Sequence, residues 1–414
     1  MSEHRMVKLG ELYEVHNGLS KGAKFFGSGY PFLSFSIVFN HFFIPDELED
    51  LVQSTEAERD SYSIHRGDVF VTRTSETSDE LGMSCVALKD YPHATYNGFT
   101  KRMRPTTDRV LPEYIGYYMR MPSFRNQFLA FSTMTTRASL RNEDLLGLSV
   151  WLPELSTQER IAKILFAYDS LIETNKRQIK LLEEAAQRLY REWFVNLRFP
   201  GHEDVPVVDG VPEGWKALPL GVIGCSLETG SRPKGGIDST LKVGVASIGA
   251  ENVIGLGQYN YSAEKLVTQE FFGKMKKGIL HDRDILIYKD GAYIGKTSLF
   301  QDGFPHQQAA VNEHVFLLHM LDEALQYYVF FTLYQDEYYM KMQKLNRNAA
   351  QPGINAQAMQ SLVILVPDHS IIHKFNALIN PIMGSIFSLA KETARLSEAR
   401  DRLLPKLMSG EITI

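Results

Sequence analysis

The residues that could do chemistry are spaced in ways that suit few reactions. Gly291-Ala292-Tyr293-Ile294-Gly295-Lys296-Thr297 comes nearest to a phosphate-cradling loop, but three residues separate its glycines where that loop has four. Gly255-Leu256-Gly257 lacks the third glycine of a dinucleotide fingerprint. His202, Glu203 and Asp204 cluster without companion ligands at metal-site spacing. His314 and His319 stand beside a strand-like run, as ordinary surface or core histidines do. There is no His-Glu-x-x-His, no Gly-x-Ser-x-Gly elbow and no Pro-Pro pair. The last point matters because methylation of a base amino group uses an Asn/Asp-Pro-Pro-aromatic loop. The expectation is a chain with no catalytic group, metal or cofactor of its own. A nuclease with loosely spaced carboxylates leaves no local signature and stays open.

Composition narrows the setting. The chain has 414 residues, enough for more than one core, with 44% hydrophobic and 22% charged residues. Two solitary cysteines, Cys85 and Cys225, fit a reducing cytoplasm rather than a disulfide framework or a Cys-based zinc site. No apolar run is long enough to cross a bilayer and no secretory leader is expected, so the reading is a cytoplasmic protein without membrane contact. The net charge of −5 counts against nucleic-acid binding when taken globally. Residues 101–141, however, hold eight basic residues against two acidic ones, which is either a solvated face or a phosphate-binding patch.

The elements that must position any such patch are duplicated. Ile161, Leu165, Tyr168, Ile172, Asn175, Ile179, Leu182, Ala186, Leu189 and Trp193 follow a 4,3 rhythm. Phe375, Ile379, Ile382, Ile386, Leu389, Thr393, Leu396, Arg400, Leu403 and Leu407 repeat it at a constant offset of 214 residues. Such heptads predict two long helices with narrow apolar seams, each about 60 Å long at 1.5 Å per residue, that need one another as partners. Asn175 is a polar seam position of the kind that fixes register.

The repeat extends upstream. Arg66-Gly67-Asp68-Val69-Phe70-Val71 matches Asp282-Arg283-Asp284-Ile285-Leu286-Ile287, and Asn97 matches Asn312. Arg137, Leu140, Leu145 and Leu148 match Gln351, Ile354, Met359 and Leu362. The order is therefore globule 1–155, helix 156–199, a Pro- and Gly-rich linker 200–214, globule 215–369 and helix 370–414. Short Val/Ile/Phe runs at 68–72 and 284–288 read as strands, and the aromatic-rich stretches 114–131 and 323–342 as helical, so each globule is mixed α/β.

Leu152-Pro153-Glu154-Leu155-Ser156-Thr157-Gln158-Glu159-Arg160-Ile161, Glu192-Trp193-Phe194 with Arg198-Phe199-Pro200, and Arg402-Leu403-Leu404-Pro405-Lys406-Leu407-Met408-Ser409-Gly410-Glu411-Ile412 resemble conserved segments of one family. It is that of the specificity subunits of type I restriction-modification systems. Residues 367–373 lack the usual Glu-Gln pair at the second helix start, and Arg73-Thr74-Ser75-Glu76-Thr77 stands where a Gly-containing turn is common.

The resemblance implies two α/β target-recognition domains held apart by two antiparallel helices in a coiled coil, with a pseudo-two-fold internal repeat. It implies a non-catalytic subunit that reads a bipartite, asymmetric double-stranded DNA target. Two methyltransferase subunits would grip the helices, restriction and translocase subunits would join through them, and S-adenosylmethionine, ATP and Mg would sit on those partners. Candidate DNA contacts in the first globule are Lys21, Arg73, Thr74, Arg102, Arg104, Arg137, Ser139 and Arg141. Those in the second are Arg232, Lys234, Lys289, Tyr293, Lys296, Arg347, Gln351 and Asn355. Arg suits guanine, and Asn or Gln suits adenine. Gln158, Glu159, Lys176, Arg177 and Arg191 are candidate partner contacts on the outer helix faces. The rival reading is a coiled-coil scaffold or adaptor without base readout.

Overall fold

The computed structural model describes residues 5–75, 81–129, 138–291, 293–345 and 353–412; for residues 5, 74, 75, 129, 138 and 139 it describes the backbone alone. The chain divides into two compact units, one built from Met1–Ser170 with Leu396–Ile414 and the other from Leu171–Arg395. Neither unit is continuous with a single globule of the sequence. Each takes one globule and one end of both long helices.

In the first unit, β1 (Tyr13–Asn17), β2 (Val69–Thr72), β3 (Ser84–Val86) and β4 (Thr100–Pro105) form an antiparallel sheet in the order β1–β4–β2–β3. All of β2 is buried because both faces of the sheet are covered. Val69 and Val71 point into a core shared with Tyr114, Tyr117 and Phe124 of the aromatic helices. Phe70 points the other way, among Leu33, Cys85 and Tyr96. This two-sided cover is why β2 reads as a continuous apolar run rather than an alternating one. A second sheet, Leu51–Val52, Phe26–Leu33 and Thr95–Tyr96, contains one parallel pair, and Arg5–Lys8 pairs with Ser149–Leu152.

The first long helix, α1 (Leu155–Tyr190), runs for 36 residues and contributes its start to this unit and the remainder to the other. The second unit repeats the plan. Its strands β5 (Cys225–Thr229), β6 (Ile285–Tyr288), β7 (Thr297–Leu299) and β8 (Val315–Met320) are ordered β5–β8–β6–β7. Ile285 and Ile287 face one core and Leu286 another. Val245–Ile248 again joins one parallel neighbour and one antiparallel neighbour. The second long helix, α2 (His369–Met408), spans 40 residues. Gly291 to Lys296 is the tight connection between β6 and β7, with Gly295 N donating to Tyr288 O, and no helix follows it to receive a phosphate.

One polar device opens the middle strand in both units. Asp68 is fully buried, its Oδ2 accepts from His65 N at 2.8 Å, and Arg104 grips both its oxygens at 2.8 and 2.7 Å. Asp284 accepts from His281 N at 2.8 Å and is met by His319 Nδ1 at 2.9 Å. The residue before each aspartate is left-handed, Gly67 at φ 91° and Arg283 at φ 65°, so the second copy holds an arginine where glycine fits without strain.

The helix seams are buried by the globules as well as by each other. In the first unit Ile161 and Leu165 share a core with Leu404, Leu407 and Met408, and Arg400 Nη1 meets Asp169 Oδ1 at 2.5 Å. In the second, Ile179, Tyr190 and Trp193 share one with Phe375, Ile379 and Ile386. Low-numbered α1 residues thus meet high-numbered α2 residues and the reverse, as antiparallel helices require. Ile172 and Asn175 are buried, while Leu182 and Leu396 are partly exposed. Asn175 Nδ2 is buried with no hydrogen-bond partner among the described residues. The linker is anchored rather than loose. It holds a short hairpin at Val207–Val208 and Val211–Pro212, and Trp215 packs 5.2 Å from Phe199.

The shared core makes a specific demand. Leu407 is 1% exposed, so Leu407→Ala is expected to cost about 2–5 kcal/mol. Hydrogen exchange should then accelerate within residues 5–170 and leave 171–395 largely protected.

Candidate nucleic-acid interface

The strand ends of the first unit create a rim. β1 ends on Asn17 opposite Lys101, the first cation of β4. Arg73 follows β2, its N donating to Phe99 O and its O accepting from Leu140 N. Asn97 Oδ1 accepts from Phe99 N at 2.7 Å and sets the turn that projects Phe99, which is 58% exposed. Lys101 Nζ donates to Asn17 Oδ1 at 3.4 Å and to Asn142 Oδ1, and Arg73 Nη1 reaches Asn17 Oδ1 at 3.5 Å. Beside this rim lies a cleft of about 700 Å³ that Phe26, Phe32, Phe35 and Phe99 help to line.

The rim of the second unit has the same backbone and a different charge. Asn312 Oδ1 accepts from His314 N at 2.8 Å, the same turn as at Asn97. The half-buried residues here include acids. Arg232 Nε meets Glu313 Oε1 at 2.6 Å, and Lys289 Nζ donates to Glu313 O at 2.9 Å and lies 3.6 Å from Asp290. His314 Nδ1 lies 3.0 Å from Asp290 Oδ2. Hydrogen-bonding Glu264 to His306 holds its carboxyl below the usual range, although burial alone would raise it. Lys234 and Tyr293 are exposed and Lys296 is half-buried. This set of carboxylates, amides and cations offers both donors and acceptors to base edges.

Several residues expected at the interface are committed elsewhere. Lys21 donates to Gln53 O at 2.6 Å and pairs with Glu58 at 2.7 Å, fixing the cap of helix Glu56–Ser61. Arg102 is 3% exposed, donates to Ser63 O at 2.8 Å and lies over the Tyr96 ring. Arg104 is held by Asp68. Asn355 Oδ1 caps Ala356–Gln360, accepting from Ala358 N at 2.8 Å. Arg141 is exposed at the start of helix Asn142–Gly147. Arg137, Arg347 and Gln351 lie outside the described residues. Thr74 and Ser139 are described as paired backbone, in register with each other.

The basic stretch 101–141 is therefore no single face. Burial on both sides of β4 turns Arg102 and Arg104 inward, and Arg120 is spent on the carbonyls of Val38, His41 and Ser84. Lys101 of the basic stretch, with Asn17 and Asn142, which the sequence reading left aside, are what the rim brings together. Their spacing in the chain carries no signal, because only the strand register makes them neighbours.

On the helices, Gln158 is corrected from an outward residue to a buried one. It is 0% exposed, accepts from Leu111 N at 2.9 Å, and donates to Arg109 O and Pro153 O at 2.9 and 2.8 Å. Three backbone groups near the helix start need those partners, which draws the side chain inward. Glu159, Lys176, Arg177 and Arg191 are exposed, with Lys176 bonded to Glu173 at 2.7 Å. No metal-binding cluster occurs among the described residues, and none of their helices is long and apolar enough to cross a membrane.

Residues 1–184 match the family described as Type I restriction modification DNA specificity domain. The MjaIX specificity subunit of a type I restriction enzyme from Methanocaldococcus jannaschii is 23% identical over 354 residues, covering 84% of this chain and 79% of that protein. The HindI specificity subunit from Haemophilus influenzae is 29% identical over 96 residues, 23% of this chain and 21% of that one. A crystal structure of the type I restriction-modification S subunit from M. genitalium superposes with a TM-score of 0.58 over 99% of this chain and 97% of that chain, at 13% identity.

Gln158→Ala should cost about 1–3 kcal/mol by leaving buried backbone groups unpaired. Urea denaturation reads this directly. Unchanged stability would return Gln158 to the outer face.

Proposed function

We propose that the chain is a DNA specificity subunit of a type I restriction-modification system, like the relatives it resembles, and that its two domains each read one half of a bipartite, non-palindromic target. The observation that carries this is the pair of rims. One backbone plan is used twice, with Arg73, Lys101 and Asn17 on the first copy and Asp290, Glu313 and His314 on the second. Cations and amides can hold the DNA backbone, whereas carboxylates accept from the cytosine amino group, so unlike rims meet unlike half-sites. Phosphate contacts position each domain and base contacts specify.

The helices supply the spacing. Helices of 36 and 40 residues extend about 54 and 60 Å, so the gap between half-sites follows their length. In this reading the subunit is not itself catalytic. Two methyltransferase subunits dock on exposed helix positions such as Glu159, Lys176, Arg177 and Arg191, and restriction subunits join through them. S-adenosylmethionine and ATP with Mg belong to those partners, and the complex works in the cytoplasm.

Selection from random-sequence duplexes tests the reading. The full chain should enrich two short motifs at a fixed gap. Replacing residues 215–369 with a relative's domain should change one motif and leave the other. A single ungapped motif, or none, overturns it.

A further inference from the structure

Two cations in the first unit have no counter-charge among the described residues. Lys101 is 5% exposed, yet its ammonium meets, among the described residues, the neutral amide oxygens of Asn17 and Asn142. Arg73 reaches for the same Asn17 oxygen at 3.5 Å, and its buried Nε has no partner. Among the described residues no carboxylate pairs with either. Desolvation pulls the Lys101 ammonium below its usual range, and the Arg73 charge adds repulsion. Folding normally removes such an arrangement by pairing or neutralising it. Here two like charges share one neutral acceptor, and an anion lodged between them would supply both the missing acceptor and the missing charge.

The burial of Lys101 decides which anion fits. A side chain that reads a base edge must protrude into a groove. Lys101 does not protrude. A phosphate oxygen stands out from the duplex and can approach a nearly buried ammonium. We propose that Arg73, Lys101, Asn17 and Asn142 form a seat for one DNA backbone phosphate, which anchors the first domain without reading a base. The seat rests on the reading of the chain as a DNA specificity subunit. It is confined to the first domain: Thr229 and Phe316 stand in register where Asn17 and Lys101 do, and Lys289 is already bonded to Glu313 O and close to Asp290.

The test uses the full chain, a random-sequence duplex pool and two individual duplexes of unrelated sequence, titrated across a salt series. Lys101→Met should weaken every duplex alike, by about tenfold at low salt. It should lower the slope of log affinity against log salt by about one. The motif enriched from the pool should be unchanged. Met follows the aliphatic stem of the lysine and removes a buried charge, so the melting temperature should hold or rise. Arg73→Met addresses the same phosphate from the open side and carries the test if the first variant misfolds. Unchanged affinity and slope in a chain that still enriches its motif overturn the seat alone. A changed base within the motif also overturns it, by making Lys101 a base reader. A wild-type chain that enriches no motif overturns the specificity reading, and the seat with it.

Discussion

Everything else in this protein depends on covering two apolar seams. A helix of 36 or 40 residues with Ile, Leu and Phe every three or four positions does not stand alone in water. Burying each such side chain contributes about 1.5–3 kcal/mol, far more than an exposed ion pair on the helix surface. The globules provide part of that cover. Tyr190, Trp193 and Phe375 sit in one core with the aromatic helix Gln326–Leu333, and Ile161, Leu165 and Leu407 in another with Tyr114 and Tyr117. The helices are therefore core elements of both units, which ties the position of each strand-end rim to the helix that carries it.

Within that frame, conservation of plan and divergence of chemistry are separated in space. The buried aspartate that starts the middle strand is kept in both copies, because the backbone N–H it accepts from has no other partner there. Its own side-chain partner differs, Arg104 in one copy and His319 in the other, at equivalent positions of the last strand of the sheet. Further from the core the differences grow. The rim of one unit holds neutral amides and cations with no carboxylate partner among the described residues, and the rim of the other holds a network of carboxylates, histidine and paired cations. A solvent-facing rim tolerates such exchanges, since surface substitutions cost little when they leave the packing beneath intact.

Features with a local period were legible in the sequence. The seam residues Ile161 to Trp193 and Phe375 to Leu407 repeat every three or four positions, and the strand runs at 69–72 and 285–288 are short and apolar, so neither needs knowledge of distant residues. The rim was not legible in the same way. Arg102 and Arg104 look like surface cations in a basic stretch, and only the cover on both faces of the sheet shows that they turn inward. Gln158 begins a helix beside the exposed Glu159, and only the fold of Arg109 to Leu111 against that helix start explains its burial. Lys101, Asn17 and Asn142 are neighbours through strand register and a returning loop, neither of which leaves a spacing pattern.

The way the first unit is closed has a temporal side. Arg400 and Asp169 meet although they are 231 residues apart, and Leu404, Leu407 and Met408 complete a core begun by Val7 and Leu9. During synthesis every residue of the second unit leaves the ribosome before that last stretch does. The usual N-to-C order of domain completion is therefore reversed. The second unit can close on the nascent chain, while the first keeps the apolar sides of Ile161 and Leu165 open until residues 396–408 have been made. Contacts of such long sequence separation are slow to form. The half made first is consequently the half that waits, and the one that most needs chaperone cover.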